Sequence, residues 1–345
     1  MKIIVANAMA PFVWGGAEEL ANHLILNLRR RGHEAFLYRI PFSWEPFGNI
    51  PVEIARLKAL RLPAAERVIT MKFPIYLMNS EHHVTWLIHQ YRQAYDLWDS
   101  PYCNLPHNRD GHAVRDQIVA HDNEALGSRE RLFTISSEIS SRLRQNNGIT
   151  APPLRAPLND PELFTGGSVG NYILAPGRIN ASKRQLMALE AAKRAGPDVR
   201  LVIAGPPESP ADAAALIEFV EKHDLKDRIK LDLRFLSRRE LAEYVNNCRA
   251  VIYLPFREDS FGYVTMEAFE ARKPVLTVTD AGELLEIVVD EETGLVTAPE
   301  QDQIAAAMIR YSTDATLARE HGAAGHVLWR SKGINWDENI ASLLG

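Results

Sequence analysis

The segment VIYLPFREDSFGYVTMEA, residues 251–268, contains the pattern that decides the fold. It begins with a short apolar run at 251–254, which is typical of a buried strand. A turn of polar and small residues follows, and a helical pattern begins beside Gly262. A strand that passes through a short turn into a helix is the repeating unit of parallel sheets covered by helices. The start of such a helix presents unpaired backbone N–H groups, which favour an anion.

The same alternation of apolar runs and amphipathic segments extends over the whole chain. Strands are predicted at 3–5, 35–38, 68–69, 84–88 and 132–135, and again at 172–175, 201–204, 229–233, 251–254 and 275–278. Helices are predicted at 17–30, 183–195, 210–222, 238–246 and 263–270. Between the two sets, prolines and glycines crowd into residues 147–171 and exclude a regular helix or central strand there. We therefore expect two doubly wound α/β domains with parallel sheets, joined by this linker.

Length and composition fit this organisation. A chain of 345 residues suffices for about two domains, and 46% hydrophobic with 24% charged residues argues against a disordered or fibrous chain. No apolar run reaches the roughly 18 residues that a membrane-spanning helix needs. Residues 1–7 look like a strand rather than a secretory leader, and the two cysteines form no paired motif, which favours a cytoplasmic protein. The net charge of -5 disfavours a general nucleic-acid binder.

Charged residues lie at the predicted strand-to-helix turns. Arg178 and Lys183 follow the strand at 172–175, where both can reach one anion. Asp259 and Glu267 flank the turn of the opening segment and suit a ligand with hydroxyl groups on both sides of a diphosphate. The alternative is structural, because acidic residues also favour a helix dipole and a basic pair also occurs on a solvated helix face.

Together, these motifs resemble the second domain of glycosyltransferase family 4, a large family of retaining enzymes with the two-domain GT-B architecture. The matching pieces occur in the family's order, with similar spacing and strand context, over residues 172–298. They are Gly177-Arg178, Lys183, Asp259-x7-Glu267 with Phe261-Gly262, and a glycine turn at Gly282 followed by Glu286. The segment 86–96 is similar to members that build bacterial surface polysaccharide.

The resemblance implies a GT-B fold, with two Rossmann-like, doubly wound parallel-sheet domains that face a central cleft. Residues 1–165 would form the acceptor-side domain, and residues 166–325 would form the nucleotide-sugar-binding domain. Residues 326–345, which include Trp336, would form a C-terminal helix that returns to the first domain.

The resemblance also implies a catalytic set of side chains. Arg178 and Lys183 would hold the diphosphate of a nucleotide sugar and neutralise charge on the leaving group. Glu267 would accept hydrogen bonds from the ribose hydroxyl groups, and Asp259 would contact the hydroxyl groups of the sugar. His89 would line the sugar pocket, with a histidine packed in the core as the alternative at that position.

A further set of residues is implied in donor binding through loop shape and backbone amides, namely Gly15, Gly16, Gly177, Glu258, Ser260, Phe261, Gly262 and Gly282. Departures from the family pattern bear on this set. The first acidic position is more often Glu, and it is filled here either by Asp259 in sequence count or by Glu258 after a local shift. The glycine turn is usually Gly-Gly, whereas here Glu283 follows Gly282 and adds a charge beside the expected sugar pocket.

The implied reaction transfers a sugar, with retention, from a nucleotide-diphospho-sugar to a sugar or lipid-linked acceptor. Members of the family need no metal ion, and the sequence lacks the Asp-x-Asp arrangement that would hold one. We therefore expect no cofactor, no metal site and no nucleic-acid partner. A basic amphipathic segment at 51–72 suggests peripheral contact with the inner membrane face, against the alternative of an ordinary solvated helix. A non-catalytic sugar-nucleotide-binding protein and a GT-B sugar-nucleotide epimerase are the alternatives for function.

Overall fold

The structure, a computed structural model, describes residues 1–9 and 14–345. The described chain divides into two compact units. The first unit comprises Met1–Pro157 together with Ile334–Gly345, and the second comprises Leu158–Gly333. In the prediction from sequence, the corresponding boundaries fall at 165/166 and 325/326. Among the described residues, no helix combines the length and the apolar character needed to cross a membrane.

The first unit is built on a parallel sheet. Within its described residues, the five strands are β1 (Lys2–Met9), β2 (Glu34–Pro41), β3 (Arg67–Thr70), β4 (His83–Leu87) and β5 (Leu132–Thr134). Their order across the sheet is β2-β1-β3-β4-β5, and neighbouring strands run parallel. Ile3, Ile4 and Val5 of β1 are fully buried. Burial on both faces explains why this strand is a continuous apolar run rather than an alternating one.

The helices of the first unit that precede the linker are α1 (Gly16–Arg30), α2 (Ile50–Ala59), α3 (Arg109–Gly127) and α4 (Ser137–Asn147). Helix α1 buries Leu20, Leu24 and Leu28 at helical spacing, as the sequence predicts. Helix α2 ends well before the end of the basic segment 51–72, because Leu60 is already extended.

The second unit contains a second parallel sheet. In the part of the unit that the structure describes, its six strands are β6 (Ile173–Pro176), β7 (Leu201–Ala204), β8 (Ile229–Asp232), β9 (Ala250–Ile252), β10 (Val275–Val278) and β11 (Gly294–Thr297). Their order is β11-β10-β9-β6-β7-β8, with parallel neighbours. The chain moves from β6 to β7 and β8 on one side and later returns to β9 on the other side. Such a reversal of strand order is the switch point at which open α/β sheets bind ligands.

The helices of the second unit are α5 (Gln185–Ala195), α6 (Pro210–Lys222), α7 (Arg238–Asn247), α8 (Tyr263–Glu270), α9 (Gln301–Thr313) and α10 (Ala315–Ser331). The predicted class of two parallel-sheet α/β domains is confirmed. Helix α5 begins at Gln185 rather than at 183, because Arg184 adopts a left-handed conformation with φ 56°. Strand β11 is not among the predicted strands, since its apolar residues are limited to Leu295 and Val296.

The last helix, α11 (Trp336–Leu344), belongs to the first unit. Leu343 lies in the hydrophobic core of that unit. Trp336 meets Trp86 of β4 edge-on, with the ring centroids 6.3 Å apart. These contacts bury one face of α11, so the helix is part of the core rather than an appendage.

Arginine side chains hold the carbonyl end of α11. Arg67 donates a hydrogen bond to the carbonyl oxygen of Leu344 at 2.6 Å, and Arg131 donates to the same oxygen at 3.1 Å. The last carbonyl groups of a helix have no partner within the helix and carry partial negative charge. The two guanidinium groups therefore satisfy and stabilise this helix end.

Replacing Leu343 by alanine tests the packing of α11. Because Leu343 is fully buried, Leu343→Ala is expected to lower the free energy of unfolding by about 2–5 kcal/mol. Unfolding in urea is followed by tryptophan fluorescence, since Trp86, Trp98 and Trp336 lie in the first unit. The control is Val52→Ala on α2, where the valine is 69% exposed and a change within about 0.5 kcal/mol is expected. Equal effects of the two substitutions would contradict the packing.

Candidate active site

The carboxyl ends of β6 and β9 lie side by side, because these strands are neighbours in the second sheet. The loop 177–184 leaves β6, and the loop 253–262 leaves β9. The amide of Phe256 in the second loop donates a hydrogen bond to the carbonyl oxygen of Ser182 in the first, at 2.8 Å. The sheet order therefore brings the two charged motifs of the sequence together at the switch point.

The first loop turns at Gly177, whose φ of +104° lies in the region that favours glycine. Gly205 at the end of β7 packs against it, and a Cβ on Gly205 would stand 2.1 Å from the carbonyl oxygen of Gly177. The next residue, Arg178, has its guanidinium 3.4 Å from Oε2 of Glu208. The same oxygen accepts a hydrogen bond from Asn180 at 2.7 Å. Glu208 thus holds Arg178 at the carboxyl edge of the sheet.

Lys183 lies near the end of the same loop and reaches towards the strand β9 and its loop. Its Nζ donates a hydrogen bond to the hydroxyl of Tyr253 at 3.0 Å and forms an ion pair with the carboxylate of Glu258. Burial raises the pKa of Tyr253 well above its ordinary value, and the negative charge of Glu258 adds to this effect. The phenol therefore stays neutral at pH 7, and Glu258 is the carboxylate that fixes the ammonium group.

Both acidic residues of the second loop, Glu258 and Asp259, are partly exposed. Glu258 pairs with Lys183, whereas the negative charge of Asp259 helps to raise the pKa of Tyr253. The structure thus brings Glu258 to the cation. Which of the two carboxylates contacts a sugar stays a prediction.

The second loop enters α8 through Gly262, which has φ +73°. A Cβ on Gly262 would stand 2.9 Å from Cε1 of Tyr253, so both the conformation and the space favour glycine. The amide of Gly262 donates to the hydroxyl of Ser260 at 3.3 Å. The buried ring of Phe261 packs edge-on against Trp329, with centroids 6.4 Å apart. Because this ring is buried, the predicted contact of Phe261 with a ligand would have to be made by its backbone.

Glu267 lies inside α8, and its side chain is 2% exposed. Its carboxylate forms an ion pair with Arg238, the first residue of α7, which also donates to the carbonyl oxygen of Asn159 at 3.0 Å. A buried carboxylate needs such a cation, because an unpaired buried charge is costly. Arg238 is not apparent as a site residue from the sequence, since nothing local in the chain relates α7 to α8. The signal that could have pointed to such an arginine is the general need of a buried glutamate for a cationic partner.

The turn after β10 meets Glu258 backbone to backbone. The amide of Glu258 donates to the carbonyl oxygen of Ala281 at 2.7 Å, and the amide of Glu283 donates to that of Glu258 at 3.2 Å. Gly282 lies between Ala281 and Glu283 with φ +89°, and a Cβ there would stand 2.5 Å from both N and O of Glu258. This close approach explains the glycine. Glu283, at the position where the resemblance to family 4 would place a second glycine, is buried.

Gly15, Gly16 and His89 belong to the first unit. Gly15 precedes α1 in an extended conformation, and a Cβ there would make an ordinary contact with Glu18 at 3.6 Å. The described contacts do not require glycine at this position, so its approach to a donor stays a prediction. Glu18 accepts hydrogen bonds from the amide of Gly15 at 3.0 Å and from Nζ of Lys72 at 2.7 Å. The Glu18–Lys72 pair is not apparent from the sequence, because it depends on β1 and β3 being neighbours.

His89 follows β4 at the carboxyl edge of the first sheet. Its Nδ1 lies 2.7 Å from the carbonyl oxygen of Gln90, which favours the tautomer protonated at Nδ1. The side-chain amide of Gln90 donates to the buried carboxylate of Asp122 at 2.9 Å. The hydroxyl groups of Tyr76 and Tyr95 donate to the same carboxylate at 2.9 and 2.7 Å. This buried network anchors the segment next to His89.

Comparison with known proteins bears directly on the second unit. Residues 168–326 match the family model described as Glycosyl transferases group 1. This match covers most of the second unit, and the matched segment is called the group 1 domain below. In addition, 119 residues of the chain are 30% identical to the alpha-1,3/1,6-mannosyltransferase ALG2 of Mus musculus. That match spans 34% of this chain and 28% of the mouse protein.

Solved structures resemble nearly the whole chain. Sucrose-phosphate synthase from Thermosynechococcus elongatus superposes with a TM-score of 0.80 at 16% identity, over 99% of this chain and 97% of that protein. The Anabaena protein HepE, solved in complex with UDP and glucose, gives 0.71 at 14% identity, over 99% and 97% of the two chains. At these identities the likeness concerns the fold alone. The GT-B fold class predicted from the sequence is confirmed.

The charged groups that meet at the switch point of the group 1 domain are cations paired with carboxylates. Within residues 1–9 and 14–345, no three side chains of His, Cys, Asp or Glu are grouped as a metal ion would need. The expectation that the reaction needs no metal stays a prediction.

Gly282 and Gly196 share a φ of +89°, which makes them a matched pair for testing the loop contact in the group 1 domain. A Cβ on Gly196 would meet nothing within 4 Å, so Gly196→Ala adds backbone strain of about 1–3 kcal/mol and no collision. Gly282→Ala adds the collision with Glu258. We expect its loss of stability, measured by calorimetry, to be about twice that of Gly196→Ala or more. Equal losses would contradict the close approach of the two loops.

Asp122 makes the stability of the first unit depend on pH. Burial raises its pKa from the ordinary value of 3.8 to about 6 in the folded chain. The folded state therefore binds the proton more tightly, and this contribution to stability is lost as the pH rises from about 4 to 6. Asp122→Asn removes the titration. In the unsubstituted protein, the Asp122 carboxyl group should lower the free energy of unfolding, measured in urea, by about 2 kcal/mol between pH ~4.5 and ~7. The Asp122→Asn variant should not show that decrease.

The control for this prediction is Asp116→Asn, which changes an exposed aspartate on the same helix α3. Its pH profile should match that of the unsubstituted protein. If the Asp122 and Asp116 variants give the same profile, the buried carboxyl does not titrate as described.

Proposed function

We propose that this chain is a retaining glycosyltransferase that moves a sugar from a nucleoside-diphospho-sugar to a carbohydrate or lipid-linked acceptor. The observation that carries the proposal is the position of Arg178 and Lys183 in the group 1 domain. Both lie on the loop that leaves β6, beside the loop that leads from β9 into α8. Switch points of doubly wound sheets bind nucleotides, and cations near a helix N-terminus favour phosphate groups.

The chemical task is to break the bond between the anomeric carbon and the diphosphate while negative charge builds on the leaving group. Fixed cations aimed at that charge stabilise the transition state without a proton transfer. Arg178 and Lys183 would take this role, and it requires no metal ion. Retention would follow from attack on the face from which the diphosphate departs, so no carboxylate nucleophile is assigned.

The ion pairs of the described site support this use of the two cations. Glu208 pairs with Arg178 and Glu258 pairs with Lys183, which orders both long side chains before a ligand arrives. A diphosphate carries more charge than either carboxylate and can compete for both cations at once. Glu258, released from Lys183, would then be available to the hydroxyl groups of the sugar.

The acceptor is proposed to bind to the first unit, and His89 of that unit is proposed to line the sugar pocket. HepE has been solved with UDP and glucose, and the mouse relative is named a mannosyltransferase, which supports a hexosyl donor. On α2, Lys58 pairs with Glu124 at 2.9 Å and Arg56 lies 3.4 Å from Glu53. These pairs reduce the positive charge available to an anionic membrane, so we propose a cytoplasmic enzyme and give membrane contact no role in the reaction.

Binding and transfer assays with a panel of donors test the proposal. UDP-, GDP-, ADP- and dTDP-sugars are screened by thermal shift in the presence of EDTA, and the donor that binds is followed for hydrolysis and transfer by NMR. We expect binding to survive EDTA and the product to keep the anomeric configuration of the donor. Arg178→Ala and Lys183→Ala are each expected to weaken donor binding about tenfold or more, since each removes a charge-assisted contact.

The matched controls are Arg194→Ala and Lys226→Ala, which remove cations of the same kinds from exposed ion pairs of the second unit. Their donor affinity should equal that of the unsubstituted protein. Unchanged affinity in the Arg178 and Lys183 variants would refute the site. Binding with neither hydrolysis nor transfer would favour a non-catalytic sugar-nucleotide-binding protein, and interconversion of donor sugars would favour an epimerase.

A further inference from the structure

An ion pair next to the proposed donor site has no role in the reaction as proposed above. Arg184, the residue after Lys183, makes two parallel hydrogen bonds to Asp280, from Nη1 to Oδ1 at 2.8 Å and from Nη2 to Oδ2 at 2.7 Å. The side chain of Arg184 is 6% exposed. A two-pronged contact of this kind fixes both the distance and the orientation of the groups that it joins.

The backbone of Arg184 has a conformation that residues other than glycine rarely adopt. Its φ and ψ are 56° and 36°, in the left-handed region. This residue separates the short 3-10 turn Ala181–Lys183 from α5 and so sets the direction in which Lys183 leaves the loop. A glycine would take the same conformation without strain. An arginine at this position adds a side chain that ties the loop to another part of the domain.

Asp280, at the other end of the pair, lies on the turn that fixes Glu258. Its carbonyl oxygen accepts a hydrogen bond from the amide of Arg257 at 2.9 Å. The carbonyl oxygen of the next residue, Ala281, accepts from the amide of Glu258 at 2.7 Å. The pair therefore connects the residue beside Lys183 with the backbone that holds the partner of Lys183.

The guanidinium of Arg184 also contacts the loop that leaves β9. It lies over the ring of Phe256, 5.0 Å from the ring centroid, and the amide of Phe256 donates to the carbonyl oxygen of Ser182 at 2.8 Å. One side chain thus joins the loops that follow β6, β9 and β10. These are the loops that carry Lys183, Glu258 and Asp280.

We propose that Arg184 and Asp280 are positioning residues of the donor site. The pair sets the position of the Lys183 ammonium group relative to Glu258 and thereby the affinity for the diphosphate. This inference rests on the function proposed above. Arg184 acts through Lys183 rather than on the ligand, because its side chain is buried, at 6% exposed, and its two Nη atoms face Asp280. Loss of the Arg184 side chain therefore lowers the affinity for the diphosphate when Lys183 is present. It has no further effect in a variant that lacks the Lys183 side chain.

Arg184→Gly is the sharpest variant, because glycine accepts the left-handed backbone and the change removes the side chain alone. Affinities for UDP, GDP, ADP and dTDP are measured by calorimetric titration for this variant and for Asp280→Asn, each with Lys183 intact and in the Lys183→Ala background. For the nucleotide that binds, each change should raise Kd about tenfold with Lys183 intact and add nothing without it. Arg194→Ala is the control and should leave Kd unchanged.

Other results of the titrations would overturn the proposal. Unchanged affinity in both Arg184→Gly and Asp280→Asn, with or without a lower melting temperature, would reduce the pair to a structural contact. Losses that add to that of Lys183→Ala would mean that Arg184 contacts the ligand itself.

A second measurement needs no ligand and separates this inference from the proposed function. Lys183 is 19% exposed, whereas Lys226 in the same unit is 66% exposed. Acetylation of both lysines by acetic anhydride is followed by mass spectrometry, and Arg184→Gly should raise the rate at Lys183 about threefold or more relative to Lys226. An unchanged rate would overturn the positioning role, even if a nucleotide binds. A raised rate in a protein that binds no nucleotide would support the positioning role and refute the proposed function.

Discussion

The pairing of β6 with β9 is the constraint on which the candidate site depends. The two strands are separated by a long stretch of chain, yet Ile173 and Ala250 are partners in the sheet. Because parallel strands end at the same edge, the loops that leave β6 and β9 have to share one space. The contact of Lys183 with Glu258, which lie 75 positions apart, follows from this sharing. Charges that are distant in the sequence therefore form one electrostatic unit.

Within this group of charges, each cation meets a carboxylate from a different loop or helix. Arg178 meets Glu208, Lys183 meets Glu258, Arg184 meets Asp280 and Arg238 meets Glu267. The pairs differ in burial, and so they differ in what they do. Where the carboxylate is buried, as for Glu267, the cation mainly prevents the cost of an unpaired charge. Where both partners are partly exposed, as for Arg178 and Glu208, the pair is weak and an incoming anion can replace the carboxylate.

Much of this organisation could be predicted from local sequence. Apolar runs such as 172–175 and 201–204 identify β6 and β7, because strands buried on both faces are continuously hydrophobic. The spacing of Arg178, Lys183 and the acidic pair around residue 259 identifies the turns whose charged side chains meet in the structure. The contacts of Arg238 and Arg184 could not be predicted, because they depend on strand order and helix packing between distant segments. The start of α5 could not be predicted from local patterns either, because the left-handed Arg184 is stabilised by a distant partner, Asp280.

The opposed glycines at the ends of β6 and β7 have a consequence for how such a domain can evolve. A Cβ on Gly205 would stand 2.1 Å from the carbonyl oxygen of Gly177, so any side chain at 205 would displace the peptide that leads into Arg178. Because the collision is with a backbone atom, no change of side chain at 177 would relieve it, and a substitution at 205 would cost the geometry of the guanidinium. Position 205 is therefore closed to gradual substitution, since every residue other than glycine would meet the same collision. New ligand preferences would have to arise at positions whose side chains are partly exposed, such as Glu258 and Asp259.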